Sequence, residues 1–311
     1  MLHQEHIPIM ISEFLNAHKE SHIKTFVDGT LGLGGHAHAI LSAHPEIETF
    51  IGIDEDPIAL RKAADNLKEF KPKLKLLHGN FRDMDNLIKP LNMTHVDGIF
   101  LDIGVSSMQM DNAERGMSFM REGPLDMRRD NSSPKGFTAD TIVNSWSEKE
   151  LQHIFRDYGE EPRWRNAAKT LVEARKSKPI KTTTELVEIL RPVLRSKRKI
   201  NPMTLVFQAL RIAVNDELGA LGEILPKAIE MLNQDGILGV ISFHSLEDRL
   251  VKQIFRLSAS KRGFDEELPH IILPEAPTVQ LITKKPLTAA HDETRRNPRS
   301  RSAKMRFIKK I

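Results

Sequence analysis

Over roughly the first hundred residues, apolar and polar positions follow two rhythms that take turns. Short apolar runs at Phe26-Val27, Thr49–Ile53, Leu74–His78 and Val96–Ile103 read as strands. The fourth is so uniformly apolar that burial on both faces is expected. Helical spacing fills the gaps, in a segment opening at His36 and in Pro57–Glu69, where proline occupies the first turn. Strands separated by helices of this length predict βαβ units and a parallel sheet.

The alternation then stops. From about Met108 to Asn201 no buried strand is expected, and helical patterns cover Glu148–Arg156, Arg165–Arg175 and Thr184–Leu194. Ser147 and Glu150 have the spacing of a capping box for the first of these. Gly123-Pro124 and the polar stretch Asp130–Lys135 read as loops. Helices Met203–Glu217 and Leu218–Asn233 resume the α/β rhythm, followed by a turn at Gln234-Asp235-Gly236 and a fifth strand, Ile237–Ser242. Ser245, with Asp248 three residues on, is the expected cap of a helix Leu246–Leu257. Val279–Thr283 and Ala303–Ile308 close the pattern as two strands. The expected organisation is an α/β domain from 1–107 and 202–311, interrupted by a helical insertion at 108–201.

A chain of 311 residues, 40% hydrophobic and 28% charged, has the apolar material for a sizeable core. No apolar run approaches the ~18 residues of a membrane span, and MLHQEHIPIM lacks the order of a signal peptide. A cytoplasmic protein is expected. The absence of cysteine removes disulfides, thiolate metal sites and cysteine nucleophiles. The 13 histidines show no HExxH-type spacing, so no metal centre is expected. The net charge of +4 is uneven: residues 291–311 hold eight Lys/Arg against two Asp/Glu, leaving the remainder slightly acidic. That tail, with the run Arg195-Ser196-Lys197-Arg198-Lys199, suits a phosphate backbone.

The chemistry concentrates where the first strand ends. Gly32-Leu-Gly34-Gly35-His36-Ala37 fits G-x-G-x-x-G/A, and Asp54 follows the second strand where a ribose-binding carboxylate sits. A nicotinamide or flavin dinucleotide fits this loop, and so does S-adenosylmethionine. The loop alone leaves both open.

Further motifs follow in order: Asp28-Gly-Thr-Leu-Gly-Leu-Gly-Gly-His36, His78-Gly-Asn-Phe81 and Leu101-Asp-Ile-Gly-Val-Ser-Ser107, each at a strand's C-terminal end. Then come Glu114-Arg-Gly-Met-Ser-Phe-Met120, Gly123-Pro-Leu-Asp-Met-Arg128, Ser242-Phe-His-Ser-Leu-Glu-Asp-Arg249 and Asn297-Pro-Arg-Ser-Arg-Ser302. Together, from His6-Ile-Pro8 to the tail, they resemble the bacterial 16S ribosomal RNA cytosine-N4 methyltransferases, the RsmH (MraW) family. The resemblance implies a Rossmann-like class I S-adenosylmethionine-dependent methyltransferase sheet with an inserted α-helical domain that recognises RNA. It implies methylation of the exocyclic amine of a decoding-centre cytosine in 16S rRNA, within the 30S subunit. The family's cofactor-contacting positions fall on Gly34, Gly35, His36, Asp54, Phe81, Asp102 and Gln109.

The residue types agree with these roles. Asp54 can take both ribose hydroxyls, Phe81 can lie against adenine or pack in the core, and Asp102 can face the cofactor's ammonium or the target amine. Methylating C5 of cytosine needs a cysteine nucleophile, which this chain lacks, whereas an exocyclic amine needs none. His244, after the fifth strand, is expected either as a proton acceptor beside Asp102 or as a capping or loop histidine. The chain has Asp102-Ile-Gly-Val where many amino-methyltransferases carry a Pro-Pro-aromatic motif, so Phe243, Trp146 and Trp164 are the candidates to stack on the base, with core packing as the alternative for each. Asp126, Arg128 and Arg249 are placed near RNA phosphate or a domain boundary. Two other readings remain, a nicotinamide-dependent oxidoreductase and a non-catalytic RNA-binding assembly factor.

Overall fold

A computed structural model describes residues 8–130, 137–194, 201–260 and 276–311. Its strands are β1 (Thr25–Asp28), β2 (Thr49–Asp54), β3 (Leu74–His78), β4 (Val96–Asp102), β5 (Leu232–Ser242), β6 (Val279–Leu281), β7 (Leu287–Thr288) and β8 (Lys304–Lys310). The sheet order is β3-β2-β1-β4-β5-β8-β6, with β7 also on β8. The first five strands pair in parallel, and β8 runs antiparallel to β5. The parallel order reverses direction at β1 and β4, the switch point where open α/β sheets bind ligands beyond their carboxyl ends.

The helices are α1 (Ile11–His18), α2 (Gly35–Ala43), α3 (Pro57–Asn66), α4 (Met84–Ile88), α5 (Ser107–Asp111), α6 (Ala139–Ser145), α7 (Glu148–Asp157), α8 (Trp164–Ser177), α9 (Thr183–Leu190), α10 (Pro202–Asn215), α11 (Glu217–Glu230), α12 (Ser245–Ser258) and α13 (His291–Arg296). The chain divides into two compact units, one of Met1–Gly104 with Leu218–Ile311 and one of Val105–Glu217. In the first, apolar residues cover both faces of the sheet. Val27, Ile51, Leu101 and Val240 lie under α11 and α12 on one side, while Phe14, Phe26, Phe50, Phe100 and Phe307 cluster on the other. The second has its own core of helices α6 to α10, centred on Leu151, Phe155, Leu171, Leu186 and Leu210. Within it, Glu217 accepts Arg129 at 3.1 Å and Arg211 at 2.9 Å, a buried charge cluster.

Three local features depart from the sequence pattern. The helix Met203–Glu217, read as part of the α/β rhythm, is α10, and it packs on α6 and α7 in the helical core. The turn expected at Gln234–Gly236 is absorbed into β5, whose register on β4 shifts between Val96 and Gly98. Asp235 takes a left-handed φ of 67° there, and Asn233 Nδ2 donates to Asp97 at 2.7 Å, so the extra residues form a bulge. The helix after β5 starts one residue early. His244 is its cap, its Nδ1 accepting from Glu247 N at 3.4 Å while Glu247 Oε2 takes the His244 N–H. Asp248, one position on, faces β8 and holds Arg306 (2.7 Å) and Lys304 (3.1 Å).

Candidate functional site

β1 delivers Asp28 and Gly29 to the carboxyl edge of the sheet, and the chain turns back as a glycine loop into α2. Leu31 N–H donates to Ile53 O and Gly34 N–H to Leu31 O, both at 2.9 Å, so the loop is tied to β2 and to itself. Gly34 caps α2 at φ 81°, a conformation side chains disfavour. A Cβ on Gly35 would meet Pro8 at 2.8 Å, so glycine there lets the N-terminal segment lie against the loop. The first-turn amides of α2 lack intrahelical acceptors and face the edge, as a ligand site requires.

Three carboxylates ring this loop, Asp28, Asp54 and Asp102, at the ends of three adjacent strands. Asp54 Oδ2 accepts Gly32 N–H at 2.7 Å and its Oδ1 accepts Asp56 N–H at 2.8 Å, fixing the loop to β2. Asp28 is 2% exposed. Burial drives its pKa up to about 7; the Thr30 N–H bond at 3.0 Å opposes this, and the charges of Asp102 and Asp54 add to it. Thr30 Oγ1 bridges the site by accepting the Asp102 N–H at 2.6 Å. Asp102 keeps 25% of its side chain accessible. Asp28 and Thr30 belong to a motif in which the sequence singles out neither; Asp28's place as the last residue of a buried strand is the available signal.

His36 contributes to this edge through its backbone. Its ring is turned into the core between Phe14 and Phe100, with centroids 5.3 and 4.7 Å away. Nε2 lies 2.9 Å from Ile9 O, which can only accept, so Nε2 carries the proton and the bare Nδ1 faces Asp102 Oδ2 at 3.8 Å. Burial lowers the His36 pKa to about 4, so the ring is neutral and the contact is not an ion pair at neutral pH. Phe81 follows β3 and is 5% exposed, joined to the core with Met84 and Leu101. Gln109 belongs to the second unit, where it forms a reciprocal cap with Ser106 at 3.2 and 3.3 Å.

His244 lies at the same edge but is occupied as a cap. Its Nδ1 lone pair accepts a helix amide, and Nε2 lies 3.0 Å from Glu247 Oε1 without hydrogen-bond alignment. That leaves the ring no accessible lone pair for a substrate proton. Phe243 is half-buried against Gly104, while Trp146 and Trp164 pack on the helical core. Trp164 also lies under Arg165 at 3.9 Å. Asp126 and Arg128 pair with each other through two 2.8 Å bonds, and Arg249 is exposed on α12. The run Arg195–Lys199 lies outside the described residues.

The basic C-terminal segment is not a loose tail, because β8 is an interior strand with Met305 and Phe307 fully buried. Among the described residues, no helix is long and apolar enough to cross a membrane.

Comparison with known proteins agrees along nearly the whole length. The model of the MraW methylase family matches residues 3–311. A protein of Protochlamydia amoebophila named ribosomal RNA small subunit methyltransferase H is 47% identical over 310 residues, covering 98% of this chain and 97% of that one. Proteins of the same name from Persephonella marina and a Geobacter species are 44% identical over 312 residues and 43% identical over 310. Coverage is 99% of both chains for the first and 98% of both for the second.

Proposed function

The chain belongs to the MraW methylase family, and on that premise we propose that it transfers a methyl group from S-adenosylmethionine to the exocyclic N4 of a decoding-centre cytosine in 16S rRNA. The fold is the Rossmann-like sheet of a class I methyltransferase. The substrate is bound as part of the 30S subunit in the cytoplasm, with the helical unit as its recognition domain.

The observation that carries this reading is the charge of the glycine-loop edge. Asp54 and Asp102 flank it, Asp28 adds a third carboxyl group whose pKa is raised to about 7, and the imidazole among them is neutral. A dinucleotide would bring a pyrophosphate dianion against these carboxylates. S-adenosylmethionine brings a sulfonium and an ammonium, so its charge complements the same edge.

The fit can be followed residue by residue. Amides of Gly34, Gly35 and His36 suit the methionine carboxylate at the start of α2. Asp54, whose oxygens have about four acceptor positions between them, suits the ribose hydroxyls. Phe81 closes the wall beneath the adenine side. The cofactor supplies a methyl group on a sulfonium, a leaving group that needs no further activation. Alignment is then the protein's main contribution, worth ~7–11 kcal/mol in well-oriented systems. The N4 lone pair is delocalised into the ring, so a hydrogen-bond acceptor must draw it out and take its proton. Asp102 has the accessible carboxylate for that task, held by Thr30 through its backbone. The Nδ1 lone pair of His244 is taken by the Glu247 amide.

Titration tests this assignment. S-adenosylmethionine should bind and reduced nicotinamide dinucleotide should not, and Asp54→Ala should weaken cofactor binding by about 10–100-fold, the worth of a hydrogen bond to a charged group. Asp102→Asn should weaken cofactor binding less than Asp54→Ala does and slow transfer at saturating cofactor by about 10²–10⁴-fold. Tight nicotinamide binding without any response to S-adenosylmethionine would overturn it, and RNA binding untouched by either substitution, with no transfer by the wild type, would favour the assembly-factor reading.

A further inference from the structure

The C-terminal segment divides its positive charge between the sheet and solvent. Of its eight Lys/Arg, four lie on β8 and hold partners on β5, α11 and α12. Lys304 and Arg306 hold Asp248, Lys309 holds Asp235 at 2.7 Å, and Lys310 donates to Ile229 O at 3.0 Å. The other four, Arg295, Arg296, Arg299 and Arg301, are all exposed and fall within seven residues.

Topology decides where these four stand. β8 is antiparallel to β5 with Lys304 opposite Ser242, the last residue of β5, and Ile241 lies opposite Asp102 on β4. The chain preceding Lys304 therefore lies beyond the carboxyl edge, on the side of the three aspartates. Glu293 of α13 confirms the location, since its Oε1 accepts Met10 N–H at 2.8 Å and its charge reaches His36.

The turn between α13 and β8 is built to hold its arginines outward. Pro298–Ser302 forms a 3₁₀ turn in which Asn297 Oδ1 accepts Arg299 N–H at 3.3 Å. Ser300 is completely buried and its Oγ donates to Asn297 O at 2.8 Å. The serine at the centre of Arg299-Ser-Arg301 is thus the anchor, and the arginines on either side are exposed. A merely solvated charge run has no need of such a buried anchor.

We propose that Arg295, Arg296, Arg299 and Arg301 form a phosphate clamp on the rim of the cofactor edge, holding the RNA backbone beside the target nucleotide. This rests on the methyltransferase reading above and adds to it the surface that receives the substrate strand. Arginine suits the task because its planar guanidinium grips phosphate through paired hydrogen bonds. Phosphate contacts set the register of a bound strand without reading its sequence. Beside an acidic cofactor edge that repels RNA, a basic rim also supplies the attraction the edge lacks.

The test replaces all four arginines by glutamine in the full chain and measures three quantities. Cofactor affinity should be unchanged, which also shows that the variant is folded. The KM for the RNA substrate should rise at least about tenfold, while kcat at saturating RNA stays within a few-fold. The salt dependence of RNA affinity should flatten by about 0.7 in log–log slope for each single-strand phosphate that the variant no longer neutralises. A four-lysine variant should recover most of the slope and part of the KM. Lys68→Gln with Lys71→Gln, on exposed positions before β3 at the opposite edge, should change neither. An RNA affinity and salt slope identical to wild type in the glutamine variant would overturn the clamp. If the wild type shows the salt slope and the variant loses it, but no methyl transfer occurs in either, the clamp stands and the methyltransferase reading falls.

Discussion

A carboxyl group buried beside two others resists ionisation, and Asp28 bears that burden for the site. Its folded pKa of about 7 lies above its ordinary 3.8, so its contribution to stability is present at low pH and fades as pH rises toward 7. His18 and His36 act in the opposite sense. Both are buried, and burial lowers each from 6.5 to about 4, so the stability they contribute is present above pH 6.5 and lost as pH falls toward 4. Between pH 4.5 and 6, unfolding then takes up two protons on the histidines and releases one from Asp28. Urea unfolding across that window should show stability rising by about 1.4 kcal/mol per pH unit. Asp28→Asn retains an oxygen for the Thr30 N–H and removes the opposing proton, so its slope should be about twice as steep. Equal slopes would mean Asp28 is ionised in the folded protein. The sequence showed Asp28 only as the residue closing a strand, because its proton affinity depends first on burial and then on Asp102 and Asp54, which are distant in sequence and adjacent in the sheet.

At the scale of elements, α12 shows how side-chain roles sort themselves around a helix start. Moving the cap from Ser245 to His244 rotates the first turn, so that Glu247 completes the capping box and Asp248 meets β8. His244→Asn supplies another good cap and should leave methyl transfer within a few-fold of wild type, while His244→Ala should lower stability by about 1 kcal/mol. A large loss of kcat in the asparagine variant, with cofactor affinity intact, would restore the histidine as proton acceptor. Asp248→Ala leaves Arg306, 6% exposed, as a buried charge stripped of this carboxylate. Removing one partner of such a pair costs about 3–5 kcal/mol, which thermal denaturation would register as a large fall in midpoint. A melting temperature unchanged in Asp248→Ala would mean that β8 does not depend on this tie. These elements were legible in kind: β4, α7 with its Ser147–Glu150 capping box, and β8 lie where the apolar spacing put them. The cap of α12 was missed by one residue because Ser245 and His244 both fit, and only the path of β8 decides which carboxylate faces it. The β5 bulge was missed because a left-handed Asp235 reads in sequence as a turn.

At the scale of the whole chain, sequential order and spatial order carry different information. The βα rhythm announced a parallel sheet, and the ordered motifs announced the family. Neither could show that β1, β2 and β4 end side by side with three carboxylates around one glycine loop, since that depends on the strand order β2-β1-β4. Likewise α10 carries a helical pattern that suits either unit, and its partners α6 and α7 were decided by packing. The basic end of the chain read as a tail because charge counts ignore the fold; four of its basic residues lie on β8 with partners on β5, α11 and α12, and the other four are exposed on the rim. The acidic edge, proposed to receive the sulfonium, is the feature on which the proposed chemistry turns. Its most direct measurement supplies S-adenosylmethionine labelled on the methyl group to wild-type protein and to Asp102→Asn, with small ribosomal subunits that lack the modification. The RNA is then digested to nucleosides. Label should appear in N4-methylcytidine with the wild type and fall by about 10²–10⁴-fold in the variant, whereas label on C5 of cytidine or on any other nucleoside would contradict the proposal.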